Sequence, residues 1–116
     1  MIRNNVVVDK SMEFAVRIVN LYKYLQSERE ETVMSKQLLR SGTSIGANVR
    51  EGIYAQSRND FISKMSIALK ETVETEYWLE LLSKTSYLKE QEYESIMADC
   101  SEIARLLTAI VKNTKK

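Results

Sequence analysis

Apolar residues recur along this chain at spacings of three and four, and separate stretches keep that rhythm. In the first, Phe14, Ile18, Leu21, Tyr22 and Leu25 share one helical face, while Met12, Val16 and Val19 lie toward the opposite side. Apolar groups on two faces indicate two packing partners. The second stretch repeats Leu38, Gly42, Ile45, Val49 and Ile53. In the third, Phe61, Met65, Ala68, Thr72 and Leu79 mark a stripe, widened by Ile62, Leu69 and Val73. The fourth is almost unbroken: Tyr93, Ile96, Met97, Cys100, Ile103, Ala104, Leu107, Ile110 and Val111.

Polar breaks separate these stretches and predict helices over about 9–26, 28–54, 58–84 and 89–113. Val6-Val7-Val8 is short and β-branched and reads as an extended lead-in, with Asp9 as the first cap and Ser11 as the alternative. Ser27 and Glu30 fit a capping box for the second helix, with a start near Thr32 as the alternative. Ser57 and Asp60 open the third helix, and Glu90 and Glu92 put acidic groups where the fourth helix dipole favours them. Short connections between antiparallel neighbours make the fold class all-α, an up-down-up-down four-helix bundle forming one domain over residues 1–116.

Composition sharpens this picture. The chain has no proline, which favours long uninterrupted helices. Its net charge of +1 is not the footprint of a dedicated nucleic-acid-binding module. Histidine is absent, which removes Ser-His-Asp and Cys-His catalysis, the usual zinc sites and the Glu-x-x-His ligands of di-iron bundles. The single cysteine, Cys100, sits in an apolar helical pattern and reads as a buried structural thiol. No apolar run reaches the roughly 18 residues of a membrane span. The expectation is a cytoplasmic, non-enzymatic protein with no cofactor and no membrane partner.

The second stretch departs from ordinary helix chemistry. All three glycines of the chain fall there, each costing a helix about 1 kcal/mol relative to alanine, so close packing by neighbours is the expected compensation. Arg40, Ser44, Asn48 and Glu51 keep the helical period and form a second, polar stripe. Gly42 and Gly46 do not make a phosphate loop, because the following Gly-Lys-Ser/Thr is missing.

The run from Leu39 to Gly52, with Arg40, then Ser44-Ile45-Gly46-Ala47-Asn48-Val49 and Glu51-Gly52, resembles the family of 23S rRNA intervening sequence proteins, also called four-helix bundle proteins. The likeness continues through Ser57, Asp60-Phe61, Ala68-Leu69-Lys70-Glu71 and Glu74-Thr75-Glu76-Tyr77-Trp78-Leu79, and covers Met12 to Val111. It implies an antiparallel four-helix bundle assembled into a ring-like homopentamer. The family is similar to the accessory variability determinant of diversity-generating retroelements, a nucleic-acid-binding pentamer that acts with a reverse transcriptase. That relative is strongly basic and this chain is not.

Candidate residues follow. Glu71, Glu74 and Glu76 would need an all-oxygen shell to hold a metal, suited to magnesium or calcium; pairing with Arg40 is the favoured alternative. Trp78 lies away from Phe61 and Met65, and aromatic enrichment at interface cores favours a subunit contact over a core position. The expected subunit interface, or the structure supporting it, is therefore Arg40, Ser44, Asn48, Glu51, Ile67, Glu71, Glu74 and Trp78. Arg3, Lys10, Lys112, Lys115 and Lys116 read either as solvated tails or, multiplied around a ring, as a basic rim for weak RNA or DNA contact. The functional expectation is a homo-oligomeric scaffold or interaction protein. The alternative is a weak nucleic-acid-binding accessory to a partner protein such as a reverse transcriptase, or to rRNA.

Overall fold

The computed structural model of the chain describes residues 6–115, which form α1 (Val6–Ser27), α2 (Met34–Ile53), α3 (Arg58–Lys84) and α4 (Glu90–Lys115). The helices run up, down, up and down, each packed against its neighbours in the order α1–α2–α3–α4–α1. Of these contacts, α2 against α3 is the most extensive and α1 against α4 the least. Ile18, Leu25, Leu38, Ile45, Met65, Leu79, Ile96, Ile103 and Leu107 are sealed in one central core. Cys100 is buried among them.

Two expected boundaries are corrected. Val6-Val7-Val8 is helical rather than extended, and Val7 is buried against the core. β-Branching costs a helix a few tenths of a kcal/mol, whereas burying a valine side chain contributes roughly 1.5–3 kcal/mol, so burial decides. The second helix does not begin at 28. Ser27 closes α1 with its hydroxyl on the Lys23 carbonyl, Glu30 adopts a left-handed φ of 54°, and α2 starts at Met34, two residues past the alternative start near Thr32. At 1.5 Å per residue this helix is about 30 Å long.

What caps α2 is Glu31, a buried carboxylate that accepts from the backbone N–H groups of Val33, Met34 and Ser35 at 3.1, 3.1 and 2.7 Å. Burial pushes its carboxyl up, but these backbone donors outweigh it and hold the group below the ordinary value. The cap of α3 is the expected one: the Ser57 hydroxyl accepts from the Asp60 N–H at 3.0 Å. At the opposite end of the bundle Arg29 joins two loops, donating to the Tyr87 and Ser86 carbonyls and lying 5.0 Å from the centre of the Tyr87 ring.

Close helix contact explains one glycine directly. A Cβ on Gly42 would stand 2.8 and 2.9 Å from the γ-carbons of Ile18, so α1 and α2 can meet here only because it is absent. Across the α2–α3 contact the hydroxyls of Ser41 and Thr75 meet at 2.9 Å, which satisfies two buried polar groups at once.

Candidate interaction faces

Four neighbouring helix pairs give the bundle four long sides, and their chemistry alternates. On the α2–α3 side Arg40 donates to Glu71 at 3.3 Å and to Oε2 of Glu74, and the Trp78 indole donates to that same Oε2 at 2.9 Å. The sequence-expected pairing of Arg40 with Glu71 and Glu74 thus forms within one chain. Glu51 at the far end of the stripe pairs with Lys64 at 3.1 Å. Ser44 and Asn48 bond back to carbonyls of their own helix, those of Arg40 and Ser44. Ile67 lies on this side as well and is partly exposed. Glu76, grouped with Glu71 and Glu74 as a candidate metal ligand, instead faces α4, where its carboxylate accepts from the Ser101 hydroxyl at 3.4 Å. No cluster of three or more histidine, cysteine, aspartate or glutamate side chains with metal-binding geometry occurs among the described residues.

The diagonally opposite side, between α4 and α1, is also polar. Arg17 reaches Asp99 at 2.8 Å, the Ser95 hydroxyl at 2.7 Å and Glu92 at 3.5 Å, and Lys10 pairs with Glu102 at 3.2 Å. Among the described residues every ion pair between helices crosses one of these two polar sides.

The remaining two sides carry no ion pair between helices among the described residues and expose apolar groups. Between α1 and α2 runs a groove of about 320 Å³ whose lining includes Val8, Met12, Ala15, Gly46 and Ala47, with Ser11 and Arg50 among its polar members and Val16 exposed beside it. On the exposed face of α3 Val73 and Tyr77, one turn apart, stand 55% and 57% exposed as a ridge. Leu69 and Met97 are half-buried against the core. Tyr77 packs edge-on against Trp78 with ring centres 5.0 Å apart. Glu76 and Glu80 flank the ridge; burial, aided by both carboxylates, pushes the nearby Tyr93 phenol up.

Sequence reasoning placed Met12, Val16 and Val19 outside the α1 core stripe, and the first two are indeed exposed. It missed the ridge, because Val73 falls within a helical arc wide enough to read as core. The available signal was the pair Val73 and Tyr77 at a spacing of four, displaced from Thr72, Thr75 and Leu79. It also missed Glu31 and Arg17.

Of the expected basic contacts, Lys112 and Lys115 lie exposed in the last turns of α4, and Lys10 is committed to Glu102. Arg3 and Lys116 lie outside the described residues. Arg50, Arg58 and Lys64 share that end of the bundle with Asp9, Glu51 and Asp60, and at the other end Glu28, Glu30, Glu90, Glu92 and Glu94 stand among Lys23, Arg29, Lys84 and Lys89. No helix among the described residues is long and apolar enough to cross a membrane.

The model of the 23S rRNA-intervening sequence protein family matches residues 3–109. The chain belongs to that family. A solved member-like structure, the crystal structure of a protein with unknown function from the S23 ribosomal protein family of Bacteroides thetaiotaomicron VPI-5482, is 67% identical. It superposes with a TM-score of 0.92, and the match covers 93% of this chain and 96% of that one. No curated protein matches. The four-helix bundle expected of an intervening sequence protein is therefore the fold observed.

Proposed function

We propose that this intervening sequence protein is the subunit of a cytoplasmic homo-oligomeric ring, a pentamer, that works as a scaffold rather than as an enzyme. The observation that carries this reading is the alternation of the four sides. Two are already neutralised by ion pairs within the chain, and two present apolar surface of a kind that monomers rarely leave uncovered. The Arg40–Glu74–Trp78 network supports the assembly from behind, by fixing the ring against which Tyr77 rests. Multi-angle light scattering at micromolar concentration tests the reading. The expected mass is that of five chains, and a monomer would refute it.

One observation favours a second role for the same particle, weak binding of RNA or DNA alongside a partner protein. Basic groups gather at the end where α1 begins and α4 closes, and a ring would repeat Lys112 and Lys115 around one rim. Such binding should fade between about 50 and 200 mM salt. Tight binding that survives both salt and joint neutralisation of Lys112, Lys115 and Lys116 would exclude the rim as its cause.

A further inference from the structure

We propose that copies join head to tail, the α3 ridge of one (Val73, Tyr77) docking into the α1–α2 groove of the next (Met12, Ala15, Gly46, Ala47). This rests on the oligomeric reading above and adds which surface meets which.

Gly46 is the first observation. Gly42 is required by Ile18, but a Cβ on Gly46 would meet nothing closer than the Ser11 carbonyl oxygen at 3.4 Å, an ordinary contact. The chain's own packing therefore does not account for a glycine that costs the helix about 1 kcal/mol relative to alanine. What the missing Cβ does is keep the groove floor low. A valine and a tyrosine arriving from outside can use that depth.

Placement is the second. Groove and ridge are unlike, and they lie apart on the surface, the groove between α1 and α2 and the ridge on the exposed face of α3. A two-fold contact would bring like surfaces together and leave the other kind uncovered, whereas a heterologous contact covers both as it repeats, and it closes a ring when each copy is turned from the last by a fixed fraction of a circle.

Charge is the third. Copies standing side by side with parallel axes bring residues of equal height together. The Ser41–Thr75 hydrogen bond sets that height, and Lys36 lies as far before Ser41 as Glu80 lies after Thr75. The exposed Lys36 thus faces the carboxylate beside the neighbour's ridge. In the same way the contacts of Ser11 with Gly46 and of Cys100 with Thr72 set Arg105 level with the first turns of α1. Asp9 is exposed there. Lys36, Arg105 and Asp9 have no ion-pair partner among the described residues, and Glu80 reaches only Lys84 one turn along its own helix, at 4.0 Å.

The test uses two variants of the full chain, each changed only at residues exposed in the monomer: Met12→Glu with Ala47→Glu for the groove, and Val73→Glu with Tyr77→Glu for the ridge. Circular dichroism should show unchanged helix content in both. Light scattering should give the mass of one chain for each variant alone and of two chains for their equimolar mixture, because one intact groove and one intact ridge remain to meet. A ridge variant that keeps the wild-type mass overturns the proposal while leaving the oligomer standing. So does a mixture that stays monomeric. A wild-type monomer would instead remove the oligomeric reading itself.

Discussion

Trp78 and Arg40 meet through a single atom: both donate to Oε2 of Glu74, one from the indole N–H at 2.9 Å and the other across from α2. The carboxylate is thereby held from two helices, and the tryptophan ring is set against Tyr77.

Arg40→Ala should loosen this arrangement without unfolding the chain. The Arg40 side chain is 47% exposed and its two carboxylate partners are partly solvated, so the loss is that of a surface network, about 0.5–1 kcal/mol. Trp78 is the sole tryptophan, and its fluorescence should shift as Glu74 is released toward solvent. A stability loss above about 3 kcal/mol in urea unfolding would mean that the carboxylates are desolvated in the assembled protein.

Glu31→Ala should remove the cap of α2 and cost about 1–2 kcal/mol at neutral pH. The carboxyl titrates below its ordinary value in the folded chain, so the stability it adds is fully present above the ordinary carboxylate range and is lost as pH falls through the folded value. The gap in melting temperature between wild type and Glu31→Ala should therefore shrink on acidification. A gap that stays constant from pH 7 down to pH 3 would show that the charged form is not what caps the helix.

Gly42→Ala and Gly46→Ala should differ in sign within a single chain. The first forces Cβ into the buried Ile18 side chain and should cost about 1–3 kcal/mol by overpacking. The second meets only an ordinary contact and should gain up to about 1 kcal/mol of helix propensity. Chemical denaturation of both substitutions in the monomeric ridge variant checks the contrast, and equal destabilisation would be the wrong outcome.

Cys100 should resist thiol reagents until the protein unfolds. Burial, reinforced by Glu76 and Asp99, pushes its thiol far up, and the sulfur points to the Thr72 carbonyl at 3.6 Å. Labelling with a disulfide reagent should follow global unfolding in denaturant; fast labelling of the native protein would contradict the packing.

Much of this architecture is legible in the residues. The stripes of α3 and α4 need only the helical period, and Ser57 with Asp60 marks its cap by local chemistry alone. The carboxylates Glu71 and Glu74 could be assigned to Arg40 because all three keep a period on their helices. The start of α2 was not legible in the same way. It depends on Glu30 turning left-handed and on Glu31 being sealed under the helix end, both consequences of packing. Nor could a single helix reveal that Val73 escapes the core. Whether its arc is covered depends on where α4 lies, and no pattern within α3 contains that information.

The thin contact between α1 and α4 makes the molecule, in cross-section, a tube with a slit. Three of its edges are sewn by interlocking side chains, while the fourth is buttoned by Arg17 and Lys10. Beside Arg17 the slit widens to a cleft of about 380 Å³ that runs down to Leu21 and Leu88. Exposed charge pairs weaken as salt rises, whereas the apolar edges do not. The bundle therefore has a built-in order of opening. Backbone amides of α1 facing α4 should exchange with solvent ahead of those in α2 and α3, and salt should widen that gap.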